Sequence, residues 1–247
     1  MNYMRIYNCY SKSSFNNFMV KHNLYYLLLA ILFYLAMWGL YTICFVVNTT
    51  THYFNMEIDK HIPFVKYMLI FYYTHYFVPE LLLWRISFID KRKYWNVLTA
   101  YAISCAICFI IYLCYNVGME RQPGYGVDYL FPISEVDSIS KLFDYGINAI
   151  YASDPMALNC FPSIHSIGGC AMLILSIFIP NVDKKRLPIW VIIIGIICGI
   201  GCMLSTIFIK QHYFIDMFCG FILMLIVYIL VCIIGKFILK KKQECII

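Results

Sequence analysis

Six long apolar runs constrain this chain of 247 residues more than any other feature of its sequence. A helix needs about 20 mostly apolar residues to cross the hydrocarbon core of a bilayer. Each run has roughly that length, and polar stretches separate the runs. The sequence therefore predicts an all-α fold, a bundle of six transmembrane helices. The predicted spans cover residues 24–47, 64–86, 96–117, 161–180, 189–210 and 212–239.

Composition agrees with a membrane protein of one domain. Hydrophobic residues make up 62% of the chain and charged residues only 13%, whereas soluble domains carry roughly 25% charged residues. We expect residues 1–247 to form a single polytopic membrane domain, with the catalytic motifs within residues 118–220. The first run is too long for the core of a signal peptide, and no small-residue cleavage site follows it. It is therefore expected to remain as the first span.

The distribution of basic residues predicts the orientation of the spans, because Lys and Arg accumulate on the cytoplasmic side of membrane proteins. Fourteen of the 19 Lys and Arg residues fall on one side of the six-span arrangement. We expect this side to be cytoplasmic, with both chain termini inside. Since these residues form short clusters beside the spans, the net charge of +6 does not indicate nucleic-acid binding. The clusters are Arg5, Lys12 and Lys21; Arg85, Lys91, Arg92 and Lys93; Lys184, Lys185 and Arg186; and Lys236, Lys240, Lys241 and Lys242.

The outer loop between the third and fourth predicted spans is expected to carry a short amphipathic helix that lies on the membrane surface. Apolar residues recur in this loop at helical spacing, and Ser134 is a candidate N-cap before them. The recurring apolar residues are Val136, Ile139, Leu142, Phe143, Ile147 and Ile150.

The twelve cysteines predict neither a disulfide framework nor a metal site. Most of them fall inside the apolar runs, where cysteine behaves as a small hydrophobic residue. Cys105 and Cys108 have the spacing of a metal-binding pair, but they lie within a predicted helix and no second pair accompanies them. We therefore expect neither a metal ion nor another cofactor.

A histidine and an aspartate stand at the start of the sixth apolar run. His212 and Asp216 are four residues apart, so on a helix they would share a face. A carboxylate bonded to one imidazole nitrogen fixes the tautomer and leaves the other nitrogen as a nucleophile or base. A polar pair that only packs two helices together would have the same spacing, and the pair alone does not distinguish the two interpretations.

A second histidine stands at the start of the fourth apolar run. Pro162 and Ser163 suit the beginning of a helix, with Ser163 as its N-cap. The free N–H groups of such a first turn, together with the helix dipole, form an anion site. His165 lies in that turn and would stand beside a bound anion. Just outside the third span, Arg121 offers a planar fork of donors that suits phosphate oxygens.

The order and spacing of these elements resemble those of the type 2 phosphatidic acid phosphatase / vanadium haloperoxidase superfamily. The matching elements are Arg121-x-Pro123, then Pro162-Ser163-x-His165, then Ser205 followed by seven positions to His212 and four to Asp216. The resemblance covers roughly residues 110–235. The six-span architecture is also similar to that of the family's integral-membrane lipid phosphatases.

The resemblance implies a role for each matching residue. His212 matches the histidine that attacks phosphorus and forms a phosphohistidine, and Asp216 matches the carboxylate that orients it. His165 matches the histidine that protonates the leaving alkoxide. Fixed cations and helix N–H groups stabilise the phosphoryl charge in such a site, so the reaction needs no metal ion. The residues that match the phosphate cradle are Arg121, Ser163, Ile164 through its N–H group, and Ser205.

Two positions depart from the family's pattern. Cys114 stands where the first motif usually has a lysine, and Thr206 stands where the third motif usually has an arginine. We expect Lys210, two residues before His212, to supply one of the missing cations at the phosphate. The stretch 210–213 is similar to a divergent branch of the superfamily that contains inositol-phosphorylceramide synthases and related head-group transferases.

The sequence thus predicts a metal-independent lipid phosphate phosphatase in the cell membrane, with its active site on the extracytoplasmic side. Its expected substrate is a lipid phosphate or a lipid pyrophosphate. One alternative is a lipid head-group phosphotransferase that uses the same nucleophile. Another is a non-catalytic transporter or scaffold, although the chain lacks the Gly/Pro-interrupted paired halves of many transporters. The sequence predicts no oligomeric state.

Overall fold

The described residues form a bundle of α-helices with one pair of very short strands. The computed structural model describes residue 20 and residues 22–47, 51–54, 56–119, 137–154, 157–177 and 187–244. In chain order the elements are α1 (Leu24–Val47), β1 (His52–Tyr53), α2 (Glu57–His61), a 3-10 turn (Lys66–Met68), α3 (Leu69–Thr74), α4 (Val78–Ser87), α5 (Lys91–Cys114), β2 (Val117–Gly118), α6 (Ser138–Ser153), α7 (Ile164–Ile177), α8 (Ile189–Phe208) and α9 (Phe214–Glu244).

Four of the described helices are long and apolar enough to cross a bilayer. They are α1, α5, α8 and residues Phe214–Ile238 of α9, and they correspond to the first, third, fifth and sixth predicted spans. The fourth predicted span contains α7, a shorter apolar helix of 14 residues. The predicted helical membrane bundle is confirmed at this level. Six spans and cytoplasmic termini remain predictions.

The second predicted span is two helices rather than one. α3 ends at Thr74 and α4 begins at Val78, with a turn over residues 75–77 between them. Pro79 lies in the first turn of α4, where its missing N–H group costs nothing. Inside a continuous helix, the same proline would clash with the carbonyl group of residue 75. The prediction of one continuous helix over 64–86 is therefore wrong, because the apolar content of the run does not show where a helix breaks.

The predicted surface helix forms as α6, with one correction. Asp137 caps α6 by accepting a hydrogen bond from the backbone N–H of Ser140 at 2.6 Å, whereas the expected cap, Ser134, lies outside the described residues. The Lys66 ammonium pairs with Asp144 at 2.6 Å and so joins α6 to the 3-10 turn. Ile147 is buried while Leu142 is exposed, so only part of the apolar face packs on the bundle. Its position on a membrane surface stays a prediction.

α7 is the central helix of the bundle and packs against α4, α5, α8 and α9. Its contact with α8 depends on glycine. A Cβ atom added at Gly169 would lie 2.8 Å from the carbonyl oxygen of Gly199, and the reverse substitution gives the same distance. Small residues that let backbones approach closely are typical of helix contacts in membranes, where no hydrophobic force drives the helices together.

The helix ends that carry the polar motifs gather at one end of the bundle. The Tyr112 hydroxyl, near the end of α5, donates to the carbonyl oxygen of Pro162, just before α7. The Tyr41 hydroxyl of α1 donates to the carbonyl oxygen of Leu158 at 3.3 Å. α8 ends and α9 begins at this same end. Described basic residues occupy the opposite ends of α4, α5 and α9, and these are Arg85, Lys91, Arg92, Lys93 and Lys236.

Gly199→Ala is expected to destabilise the bundle, because its new Cβ would meet the backbone of Gly169. Backbone atoms cannot turn aside as a flexible side chain can, so α7 and α8 must separate, at a cost of about 1–3 kcal/mol. We expect a lower midpoint of thermal unfolding in detergent. Gly39→Ala is the matched control, since a Cβ at Gly39 meets nothing within 4 Å. Equal midpoints for the two variants would contradict the proposed close contact.

Candidate active site

Three chain segments at this end of the bundle form a connected scaffold. β1 and β2 pair in parallel, with His52 opposite Val117. The Cys160 N–H group donates to the carbonyl oxygen of Val117 at 2.8 Å. The Asn159 N–H group donates to Oδ1 of Asn116 at 3.1 Å. The segment that leads into α7 is therefore held to the segment that follows α5, and both are held to β1.

His212 lies in the loop between α8 and α9 and is buried. Its backbone N–H and that of Gln211 both donate to the carbonyl oxygen of Thr206, at 3.2 and 2.8 Å. Its ring Nδ1 lies 3.0 Å from the carbonyl oxygen of Cys160. A carbonyl group can only accept, so this contact assigns the ring proton to Nδ1 and leaves a lone pair on Nε2. His212 thus presents Nε2 as a nucleophile or base.

Asp216 lies beside His212, although not across a helix face as the spacing suggested. His212 precedes α9, so the two residues do not share a helix face. Oδ2 of Asp216 accepts the backbone N–H of Tyr213 at 2.8 Å and lies 3.6 Å from Nδ1 of His212. Asp216 therefore caps the start of α9, and the Cys160 carbonyl group makes the closer contact with the histidine. The carboxylate still stands beside the imidazole and favours positive charge on it.

His165 meets His212 although 47 positions separate them. Nδ1 of His165 lies 3.4 Å from Nε2 of His212. The other ring nitrogen of His165, Nε2, is buried without a hydrogen-bond partner among the described residues. The Tyr72 ring stacks on the imidazole, with centroids 4.4 Å apart. The two histidines singled out in the sequence therefore face one another across one site.

Ser163 joins the two helix starts that carry these histidines. Its N–H group donates to the backbone carbonyl oxygen of Asp216 at 3.0 Å, and its Oγ lies 3.4 Å from the N–H group of Ser166. Ser163 is fully buried, and it acts as a link between α7 and α9 and as a weak cap of α7. Ile164, the next residue, lines the cavity beside the histidines.

Two of the remaining predicted phosphate ligands, Ser205 and Lys210, are not brought to the histidines. Oγ of Ser205 donates to the carbonyl oxygen of Cys202 at 2.7 Å, within α8. Nζ of Lys210 donates to the carbonyl oxygens of Asp59, at 3.3 Å, and of Ile62. Neither Ser205 nor Lys210 lines the cavity, because each side chain satisfies backbone carbonyl groups elsewhere. Arg121 lies outside the described residues.

A cavity of about 520 Å³ opens beside the two histidines, within the usual range for small-molecule sites. Its wall is largely aromatic and includes six tyrosines. None of the described residues that line it is Lys or Arg. The residues that give the cavity its character are His75, His165 and His212, with Tyr34, Tyr41, Tyr72, Tyr76, Tyr101 and Tyr112.

His75 is a site residue that the sequence analysis did not identify. It begins the turn between α3 and α4, it is buried, and its ring centroid lies 4.6 Å from that of His165. The available signal was a histidine four residues before Pro79 within an apolar run. Such a proline favours a helix break, and non-helical backbone at membrane depth is tolerated where it is buried in protein or lines a cavity.

Cys160, His212 and Asp216 place three possible metal-ligating atoms within 4.8 Å of one another. Their contacts favour hydrogen bonding. Sγ of Cys160 donates to the carbonyl oxygens of Ala157, at 2.7 Å, and Gln211, at 3.3 Å, while Nδ1 of His212 donates to a carbonyl oxygen. Metal ligation requires a thiolate and an imidazole lone pair in these positions. The donor set is a poor fit to a metal ion.

Asp59 reaches the start of α9 from a distant part of the chain. Its Oδ1 accepts the backbone N–H of Phe214 at 2.8 Å, next to the N–H group that Asp216 caps. Two carboxylates therefore meet the positive end of one helix dipole. Burial raises the pKa of Asp59 above its usual range, and nearby Asp216 raises it further. Burial lowers the pKa of Lys210, and the negative charge of Asp59 partly offsets this lowering.

Comparison with known families gives an independent finding. Residues 93–238 match the family model of the PAP2 superfamily. The match covers more than half of the chain and includes α7, both site histidines and Asp216, so the chain belongs to the PAP2 superfamily. α1, α3, α4 and His75 lie outside the matched region. Comparison with the curated proteins and with the solved structures gives no match.

Asp59→Ala is expected to loosen the start of α9, because it removes the acceptor for the Phe214 N–H group. Loss of such a cap costs about 1 kcal/mol. Asp59→Asn is the matched control, since an amide oxygen can still accept. The raised pKa means that ionisation of Asp59 disfavours folding, so the wild-type protein loses stability as the pH rises from below 3.8 through the folded-state pKa.

We therefore expect Asp59→Asn to be at least as stable as the wild-type protein at neutral pH, and less sensitive to pH above about 4. Thermal unfolding in detergent at several pH values measures both effects. If Asp59→Ala and Asp59→Asn unfold at the same temperature, the capping role assigned to Asp59 is wrong.

Proposed function

We propose that this member of the PAP2 superfamily is a lipid phosphate phosphatase that works without a metal ion through a phosphohistidine on His212. The observation that carries the proposal is the approach of Nε2 of His212 to Nδ1 of His165, at 3.4 Å, at the wall of an aromatic cavity. Superfamily membership supports a phosphatase-type activity. One imidazole with a free lone pair and a second imidazole beside it supply the nucleophile and acid–base partner that this chemistry needs.

The first step transfers the phosphoryl group to the enzyme. The lone pair on Nε2 of His212 forms a bond to phosphorus, and the bond between phosphorus and the lipid oxygen breaks. Protonated His165 gives its proton to that oxygen, so the product leaves as an alcohol. Positive charge develops on the His212 ring during this step. The Cys160 carbonyl group on Nδ1, together with the carboxylate of Asp216, stabilises that charge.

The second step returns the enzyme to its starting state. Water attacks phosphorus, His165 accepts a proton from that water, and the bond between phosphorus and Nε2 breaks. Phosphate leaves, the lone pair returns to Nε2, and His165 is again protonated. The N–H groups at the start of α7 and the Arg121 guanidinium would hold the phosphoryl oxygens in both steps.

The wall formed by α1 supports a lipid as the substrate. Residues of α1 recur along the cavity at spacings of four, so one helix face contributes four successive turns. That face spans about 20 Å at a rise of 1.5 Å per residue and is mainly apolar. An acyl or prenyl chain would lie against it while the phosphate meets the histidines. The residues on this face are Phe33, Tyr34, Met37, Trp38, Tyr41, Thr42, Phe45 and Val46.

The distribution of charge supports an extracytoplasmic site in the cell membrane. The histidines lie at one end of the bundle, and the described basic residues Lys91 and Lys236 lie at the opposite ends of their helices. Lys and Arg mark the cytoplasmic side. Substrate would therefore enter from the outer leaflet.

His212→Ala is expected to lower phosphate release from a lipid phosphate panel by at least about 10³-fold, because no other side chain replaces the nucleophile. The assay uses purified protein in detergent micelles with phosphatidate-type, phosphatidylglycerophosphate-type and polyprenyl pyrophosphate lipids. His61→Ala is the matched control, since His61 is exposed and its ring contacts the Glu57 carbonyl oxygen, away from the cavity. A new phospholipid formed only with an added alcohol would identify a head-group transferase instead. Full activity of His212→Ala would remove the nucleophile assignment.

Orthovanadate is expected to inhibit the wild-type protein, because it mimics the phosphoryl group bound between two imidazoles. EDTA is expected to leave activity unchanged, since the donor atoms of Cys160 and His212 are committed to carbonyl oxygens. Phosphate release measured with each reagent checks both statements. Strong inhibition by EDTA, reversed by added Zn²⁺, would instead indicate a metal enzyme.

A further inference from the structure

We propose that His75 is a third histidine of the active site and donates a hydrogen bond to a phosphoryl oxygen of the substrate. This inference rests on the proposed function and assigns a phosphate contact to a residue outside the region that matches the PAP2 superfamily. The ring of His75 lines the same cavity as His165 and His212.

The position of His75 is created by the break in the second predicted span. Non-helical backbone at membrane depth is costly unless it is buried in protein or lines a cavity. Here the turn over residues 75–77 brings the imidazole against His165, with ring centroids 4.6 Å apart. Gly168, on the second turn of α7, leaves the necessary room, because a Cβ atom there would collide with Nδ1 of His75.

A purely structural role does not explain why a ring nitrogen of His75 is left without a hydrogen bond. Its Nδ1 is buried without a hydrogen-bond partner among the described residues. Leaving a buried polar atom unpaired destabilises the folded protein, and a phenylalanine would fill the same space without an unpaired polar atom. Because Nδ1 lies beside Gly168, the ring offers its other nitrogen, Nε2, to a ligand in the cavity that His75 lines.

The shortage of cationic side chains among the described residues that line the cavity points to the ligand atom. A phosphoryl group needs donors or cations around its oxygens. Two usual cation positions hold Cys114 and Thr206, and the Thr206 hydroxyl donates to the carbonyl oxygen of Met203. Lys210 is bonded to carbonyl oxygens away from the cavity. Among the described lining residues, only the three histidines can become cations. Two of these take part in bond making and breaking, and His75 is the remaining one of the three that can donate to a phosphoryl oxygen.

His75→Phe tests this role because it keeps an aromatic ring against His165 and removes the N–H donor. We expect kcat/KM for lipid phosphate hydrolysis to fall at least tenfold, in line with the loss of one donor to a developing oxyanion. We also expect the inhibition constant of orthovanadate to rise at least tenfold. His75→Gln, which restores an N–H donor, is expected to recover part of both losses. His61→Ala serves as the control variant.

Two outcomes overturn the inference, and both differ from failure of the proposed function. Wild-type kcat/KM and vanadate inhibition in His75→Phe would show that the ring only packs. A loss in His75→Phe without any recovery in His75→Gln would likewise contradict a donor role. His75→Leu also lacks a donor and replaces His75→Phe if that variant does not fold in detergent. Failure of the proposed function would show as no phosphate release from the wild-type protein.

Discussion

The hydrogen bond between Nδ1 of His212 and the Cys160 carbonyl oxygen organises this end of the molecule. It joins the loop before α9 to the segment before α7, and it decides which ring nitrogen keeps a lone pair. The same segment is held to β2 through the Cys160 N–H group and to α1 through the Tyr41 hydroxyl. A single backbone carbonyl group thus depends on contacts from three other parts of the chain. Loss of any of these contacts would shift the Cys160 carbonyl group and with it the ring of His212.

Polar groups at the helix ends are satisfied by residues from distant positions. The start of α9 takes its caps from Asp216 and from Asp59, which is more than 150 positions away from it. Both carboxylates lie at the positive end of the helix dipole, where negative charge is favoured. The site is therefore built on a polar network of backbone groups in an otherwise apolar bundle. Such networks specify one arrangement strongly because every unpaired member is costly.

The sequence predicted the elements of the site better than their contacts. Four of the six apolar runs correspond to described helices long enough to cross a bilayer, and the two histidine motifs bring ring nitrogens of His165 and His212 to 3.4 Å from one another. Spacing correctly brought Asp216 beside His212, at 3.6 Å, but not by the expected helix face, because His212 lies just outside α9. Lys210 was expected at the phosphate because it is close to His212 in the sequence. Its ammonium group instead donates to the carbonyl oxygens of Asp59 and Ile62. Long-range partners such as Cys160 and Asp59 leave no periodic signal in one sequence.

The aromatic face of α1 has a consequence for how the bilayer itself acts on the protein. α1 contributes one wall of the cavity, while most of its residues face away from the bundle. A transmembrane helix adjusts to a thinner or thicker hydrocarbon layer chiefly by tilting. Tilt of α1 would widen or narrow the space beside the histidines without altering any residue there. The thickness of the surrounding bilayer, which depends on its lipids, would therefore affect the width of the cavity beside the histidines.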